Sequence, residues 1–242
     1  MTLPRNIASL AIDAQPTFCE GGGLGVNGGN AIMPLINAIR VQTEKGYWTQ
    51  DWHPAGHSSF ASTHARAPFT TAEMINGQIV ADGTPGAYTQ LLWTDHGIQG
   101  TAEAELHPAL TIPAGDLVVK KGTNPLIDSY SCVFENDKVT RPRFPNGNSV
   151  PDQLRADGID TVVVSGIALD VCVRDGACDL KDEGFRVVVV IDATAAITPE
   201  GKTATLETFK KKGVEVITLD QLATYFNPPS VNAVPNVNGP KI

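Results

Sequence analysis

From residue 159 onward the chain alternates strand-like apolar runs with helical segments, and this alternation limits its architecture more than any other feature. Residues 159–165, built around Thr161-Val162-Val163-Val164-Ser165, are the most strand-like stretch. Residues 170–183 follow as a helix ended by Gly184. Residues 186–191 are a second buried strand, and residues 199–212 a helix stopped by Gly213. Residues 214–218 and 219–225 read as a last strand and a last helix. Strands separated by helices predict βαβ crossovers and a parallel sheet, hence the α/β class.

The first half follows the same rule less evenly. Residues 7–12 predict a buried strand, and the glycine-rich turn Glu20-Gly21-Gly22-Gly23-Leu24-Gly25 comes after it. Asn30 is placed to cap a helix in which Ile32, Leu35, Ile36 and Ile39 recur at helical spacing. Residues 46–50 are weakly strand-like, residues 117–120 are a short clear strand, and residues 152–157 a short helix. Residues 51–110 are crowded with Pro, Gly, His and Thr and read as long loops. A stretch of that length signals function or an unrecognised element. The 242 residues suffice for one domain with a sizeable core, expected over residues 1–226. Four prolines and no apolar periodicity predict a flexible or surface-draped tail over residues 227–242.

Composition removes several function classes. The formal net charge of −8 argues against binding to a nucleic-acid backbone, which needs clustered Lys and Arg. No stretch approaches the ~20 apolar residues of a membrane span. The N-terminal residues lack a basic segment followed by a signal-type apolar core, so a cytoplasmic location is expected. Cys19, Cys132, Cys172 and Cys178 match no disulfide framework or CxxC site, and reduced thiols are expected.

Three chemically capable side chains stand at the carboxyl ends of apolar runs. Asp13 follows Ser9-Leu10-Ala11-Ile12, Lys121 follows Leu117-Val118-Val119-Lys120, and Cys172 closes Gly166-Ile167-Ala168-Leu169-Asp170-Val171. Sites in open parallel sheets form outside the carboxyl ends of strands, so these three are expected to meet there. They supply a base, a cation and a nucleophile. Strand alternation puts only one of Lys120 and Lys121 on the site side. Cys172 is expected in the first turn of a helix, where free backbone N–H groups and the helix dipole favour a thiolate. Separately, Asp51-Trp52-His53-Pro54-Ala55-Gly56-His57 concentrates a carboxylate and two imidazoles. Asp51 and His53 share a face of an extended segment and suit Zn, Fe or Mn, with His57 or His96 as further ligand. A plain loop hydrogen-bond network is the competing reading of that pair.

Taken together, these motifs resemble the isochorismatase-like cysteine hydrolases and, within them, the nicotinamidase branch. Asp13-Ala14-Gln15-Pro16-Thr17-Phe18 is similar to the opening motif, and Thr49-Gln50-Asp51-Trp52-His53-Pro54 to the metal motif. Trp93 and His96 match a tryptophan-x-x-histidine, and Lys121-Gly122 the family lysine and glycine, which selects Lys121 over Lys120. Tyr130-Ser131 fits a pocket-lining segment, and residues 166–173 the nucleophile motif. The resemblance implies a three-layer α/β/α sandwich around a mostly parallel six-stranded sheet. It implies Asp13, Lys121 and Cys172 as catalytic residues, and one divalent ion (Zn, with Fe or Mn as alternatives) on Asp51, His53 and His96. It further implies a cis peptide between Ile167 and Ala168, and an oxyanion site made by the backbone N–H groups of Ala168 and Cys172. Phe18, Trp93, Tyr130 and Ile167 are expected around the substrate.

The activity so implied is hydrolysis of nicotinamide to nicotinate and ammonia through a thioester, with pyrazinamide as a further small aromatic amide substrate. Members range from monomers to tetramers, so homo-oligomer formation is left open. Hydrolysis of N-carbamoyl or ureido compounds is the alternative within the superfamily. A catalytically silent binding protein on the same fold is the alternative outside it.

Overall fold

The computed structural model describes residues 3–4 and 6–226. In chain order its elements are β1 (Ile7–Ile12), α1 (Met33–Arg40), β2 (Lys45–Asp51), β3 (Thr70–Ile75), β4 (Gln78–Ile79), β5 (Tyr88–Leu92) and β6 (Leu117–Lys121). There follow α2 (Val150–Ala156), β7 (Thr161–Ile167), α3 (Arg174–Asp182), β8 (Arg186–Ala195), α4 (Pro199–Lys212), β9 (Glu215–Ile217) and α5 (Leu219–Phe226). The expected tail over residues 227–242 lies outside the described residues.

Six strands lie side by side in the order β6-β2-β1-β7-β8-β9, and every neighbouring pair is parallel. Successive side chains of a strand face opposite ways, so each central strand must bury both sets. Ala8, Leu10 and Ile12 of β1 join Val162, Val164, Val187 and Val189 on one face. There they meet Leu154 of α2, Ala177 and Leu180 of α3 and Phe209 of α4. On the other face Ile7, Val163, Val188 and Val190 pack with Ile39 of α1 and Leu222 of α5. Ala11 and Trp48 meet Met33 and Ile36 of α1 on that same face. Helices therefore cover both faces, and the expected three-layer α/β/α sandwich is what forms. Each fully buried aliphatic side chain contributes roughly 1.5–3 kcal/mol.

Four local expectations need correction. Residues 51–110 are not only loops: β3, β4 and β5 form a small antiparallel sheet in the order β4-β3-β5. Its strands are short, partly exposed and polar, so no apolar alternation marks them. Asn30 does not cap α1; it lies in a preceding 3₁₀ turn, and its side chain donates to Glu20 (2.7 Å). The helix expected from residue 170 begins with a π-helical turn, Leu169–Val173, and α3 starts only at Arg174. β8 runs to Ala195, past the expected end at residue 191, after a register shift against β7.

The chain steps from β1 to β2 on one side of the sheet, and β7 adds on the other. The crevice opens where these directions part, at the carboxyl ends of β6, β2, β1 and β7.

Candidate active site

At that crevice β1 ends and Asp13 turns out of the sheet with φ +47°. Its side chain is completely buried. Thr49 of β2 grips it twice: the Asp13 N–H donates to Thr49 Oγ1 (3.0 Å), and that hydroxyl donates to Asp13 Oδ1 (2.5 Å). Asp13 Oδ2 lies 2.9 Å from Lys121 Nζ as an ion pair, but no donor is aligned on it. Burial pushes the Asp13 carboxyl up to about 6, against the pull of Lys121 and with the push of Asp51.

Lys121 ends β6 and points inward, fully buried. Its neighbour Lys120 points out and covers the Trp52 ring at 3.4 Å, so alternation resolves the choice between the two. Lys121 Nζ pairs with Asp51 Oδ1, donates to Ser129 O (2.7 Å) and stands 3.7 Å from Cys172 Sγ. Burial alone would depress this amine. The carboxylates of Asp13 and Asp51 overcome it and hold the ammonium well above the usual lysine range.

Cys172 is buried in the π-helical turn after β7. Its Sγ and one oxygen each from Asp13 and Asp51 lie within 4.8 Å of one another. Burial pushes the thiol well above its usual range; Lys121 pulls the other way, and Asp13 and Asp51 add to the rise. The expectation of a helix-stabilised thiolate is thus reversed. The turn is not α-helical, two carboxylates stand beside the sulfur, and the resting group is a thiol next to a base. One glycine makes this packing possible. At Gly166 (φ +122°) an added Cβ would stand 1.9 Å from Ile12 O, so only glycine lets β7 close on β1 here. The Ile167–Ala168 peptide is cis, as expected.

The second cluster forms at the end of β2. His53 Nδ1 donates to Gly122 O (2.9 Å) and His96 Nδ1 to Thr94 O (2.7 Å). Both rings therefore turn a bare Nε2 toward the same point, each 3.7 Å from Asp51 Oδ2. His53 Nε2 is buried without a hydrogen-bond partner. Gly122 (φ +64°) lies directly under His53, where a Cβ would come within 2.3 Å of the ring. Two imidazole nitrogens and a carboxylate oxygen, with tautomers set by backbone carbonyls, are a donor set that fits Zn, Fe or Mn. His57 is engaged in bonds of its own, Nε2 donating to Asn124 O (2.8 Å) and Nδ1 accepting from the Ser59 N–H (3.1 Å), and with His53 and Asp128 it forms a second group whose potential ligand atoms lie within 4.8 Å of one another.

A small cavity opens onto both clusters, and Cys172, Asp51 and His96 line it. Phe18, Trp93 and Tyr130, expected around the substrate, supply its walls together with Ala168. Trp93 Nε1 donates to Tyr130 Oη (3.2 Å), which fixes the two rings edge to face. Ile167 departs from expectation: it is fully buried and packs in the core behind Ala168 instead of lining the cavity. Leu24, Val26, Asp128 and Ile197 also line it and were not foreseen. The glycine run before Leu24 was the available signal. Gly22 and Gly23 press against Pro16 O and Asp95 O, closer than any Cβ could, and so lower Leu24 onto the cavity.

The pattern of the isochorismatase domain matches residues 8–221. The chain belongs to the isochorismatase family. Within this family it is 39% identical over 202 residues to the nicotinamidase of Acinetobacter baylyi, covering 83% of this chain and 86% of that one. The solved Acinetobacter baumanii nicotinamidase/pyrazinamidase superposes with a TM-score of 0.80 at 38% identity, covering 90% and 99% of the two chains. The pyrazinamidase of Pyrococcus horikoshii, solved in complex with zinc, has a TM-score of 0.67 at 25% identity, covering 89% and 99%.

Proposed function

We propose that this isochorismatase-family hydrolase cleaves nicotinamide to nicotinate and ammonia through a thioester on Cys172, feeding NAD salvage, and that it also accepts pyrazinamide. One observation carries the reading: a thiol, a carboxylate and the ammonium paired with it converge at the wall of a small aromatic cavity. The identities to nicotinamidases support the choice of amide.

Asp13 Oδ2 accepts the Cys172 thiol proton, and Lys121 stabilises the charges that result. The thiolate attacks the carboxamide carbon, while the N–H groups of Ala168 and Cys172 hold the oxyanion; such a donor is worth roughly 3–4 kcal/mol. Collapse breaks the C–N bond, and Asp13 returns its proton to the departing ammonia. A water then gives its proton to Asp13 and adds to the thioester carbon. The C–S bond breaks, the sulfur regains a proton, and nicotinate leaves. Phe18, Trp93 and Tyr130 border the ring. Asp51, His53 and His96 would hold a divalent ion, zinc in the first place, whose Lewis acidity supplies an anchor for the ring nitrogen lone pair.

A nicotinamide-dependent ammonia assay, with bound metal quantified in the same preparation, tests this reading. Ammonia release from nicotinamide, faster than from N-carbamoyl or ureido amides, is expected; a silent preparation containing stoichiometric metal rules the reading out. The acid limb is a second test. A base must be ionised to take a proton, so kcat/KM should fall as pH drops through about 6. A flat profile across that range would remove Asp13 from the role.

A further inference from the structure

Gln15 occupies an unusual place in the sheet. β1 and β2 pair from Ala8↔Lys45 to Ala11↔Trp48, and β1 then turns away at Asp13. β2 continues to Asp51, whose peptide groups on the β1 side have lost their strand partner. The Gln15 side chain takes that place. Its Oε1 accepts the Asp51 N–H (2.8 Å), and its Nε2 donates to Asp51 O (2.9 Å). The second amide hydrogen goes to Ala104 O (2.6 Å). The Asp51 N–H can only donate, so the orientation of the amide is fixed by its partners. Gln15 is completely buried, and all three bonds run to backbone. A primary amide thus serves as one artificial rung of the β1–β2 ladder, placed at the residue whose two carboxylate oxygens do separate work. Asp51 Oδ1 pairs with Lys121, and Oδ2 faces the bare Nε2 atoms of His53 and His96.

We infer that Gln15 is a positioning residue for the Asp51 carboxylate and sets the affinity of the Asp51-His53-His96 cluster for a divalent cation. This rests on the reading of those three residues as ligands. A side chain that holds a ligand from behind typically changes metal affinity by about 10–100-fold when removed.

The test is zinc affinity of the full chain, measured by competition with a chromophoric chelator and read beside the thermal midpoint. Gln15→Met removes all three bonds at similar volume, and Gln15→Asn withdraws the amide by one methylene. Each should weaken zinc by about 10–100-fold. Gln50→Met is the control. Gln50 donates to the same Ala104 carbonyl (2.9 Å) without touching the Asp51 peptide groups, so its loss should lower the midpoint and leave zinc affinity unchanged. A folded Gln15 variant that binds zinc as tightly as the unsubstituted chain overturns the inference. So does a Gln50→Met variant that loses as much affinity. A third readout needs no variant: the Gln15 side-chain amide resonances should shift on zinc addition, and unmoved resonances count against the proposal. Failure of the ligand reading looks different. In that case the unsubstituted chain binds no zinc, or Asp51→Ala binds it undiminished.

Discussion

Cys172→Ala should lower kcat for ammonia release by at least about 10³-fold and leave nicotinamide binding measurable by calorimetry. In the proposed mechanism Cys172 Sγ is the atom that bonds to the acyl group, so without it no thioester could form. The cavity walls and the Asp51-His53-His96 cluster keep their own supports: Tyr130 and Trp93 hold each other, and Gly122 and Thr94 hold the two imidazoles. Binding should therefore survive while chemistry does not. Stability should change by about 1 kcal/mol, the ordinary cost of trimming one buried atom. The substitution also relieves the pocket of a thiol that burial keeps protonated. Retention of more than a few per cent of activity would show that the amide is attacked by water and not by sulfur.

What the sequence revealed follows from how strongly burial marks each element. β1 and β7 are buried on both faces, so they read as unbroken apolar runs, and the acid and the thiol could be placed at their ends. β2 was faint because its buried positions include Thr49, Gln50 and Asp51, polar side chains that carry no apolar signal. The three-stranded sheet escaped notice for the opposite reason: much of it faces solvent, and composition then carries no period. The local error at Cys172 has a physical cause too. Periodicity cannot distinguish a π-helical turn from an α-helical one over five residues, and only the former turn is present at Leu169–Val173. Asp128 and Ile197 reach the cavity from loops far along the chain, and nothing local in their neighbourhoods announces it.

Lys121→Met should cost about 3–5 kcal/mol at neutral pH and also suppress turnover by roughly 10²-fold or more. Methionine fills a similar volume, so the loss is electrostatic. The ammonium is the shared partner of two buried carboxylates, Asp13 at 2.9 Å and Asp51 closer still. Without it two like charges within 4.8 Å face each other in a buried crevice. The penalty must then depend on pH, and its sign can be worked out. Burial already holds Asp13 at about 6 in the fold, above the 3.8 of a free carboxyl, and Lys121 is the leading influence pulling it down. Removing that pull raises the folded value further. A proton bound more tightly in the fold than in the open chain stabilises the fold on acidification, so the deficit of the variant should shrink as pH falls from 7 toward 4 and be largest above the folded value. Urea unfolding of both proteins at about pH 7 and pH 5 measures this directly. Equal deficits at the two pH values would mean that Lys121 contributes by packing alone, and the charge-compensation account of the crevice would have to be abandoned.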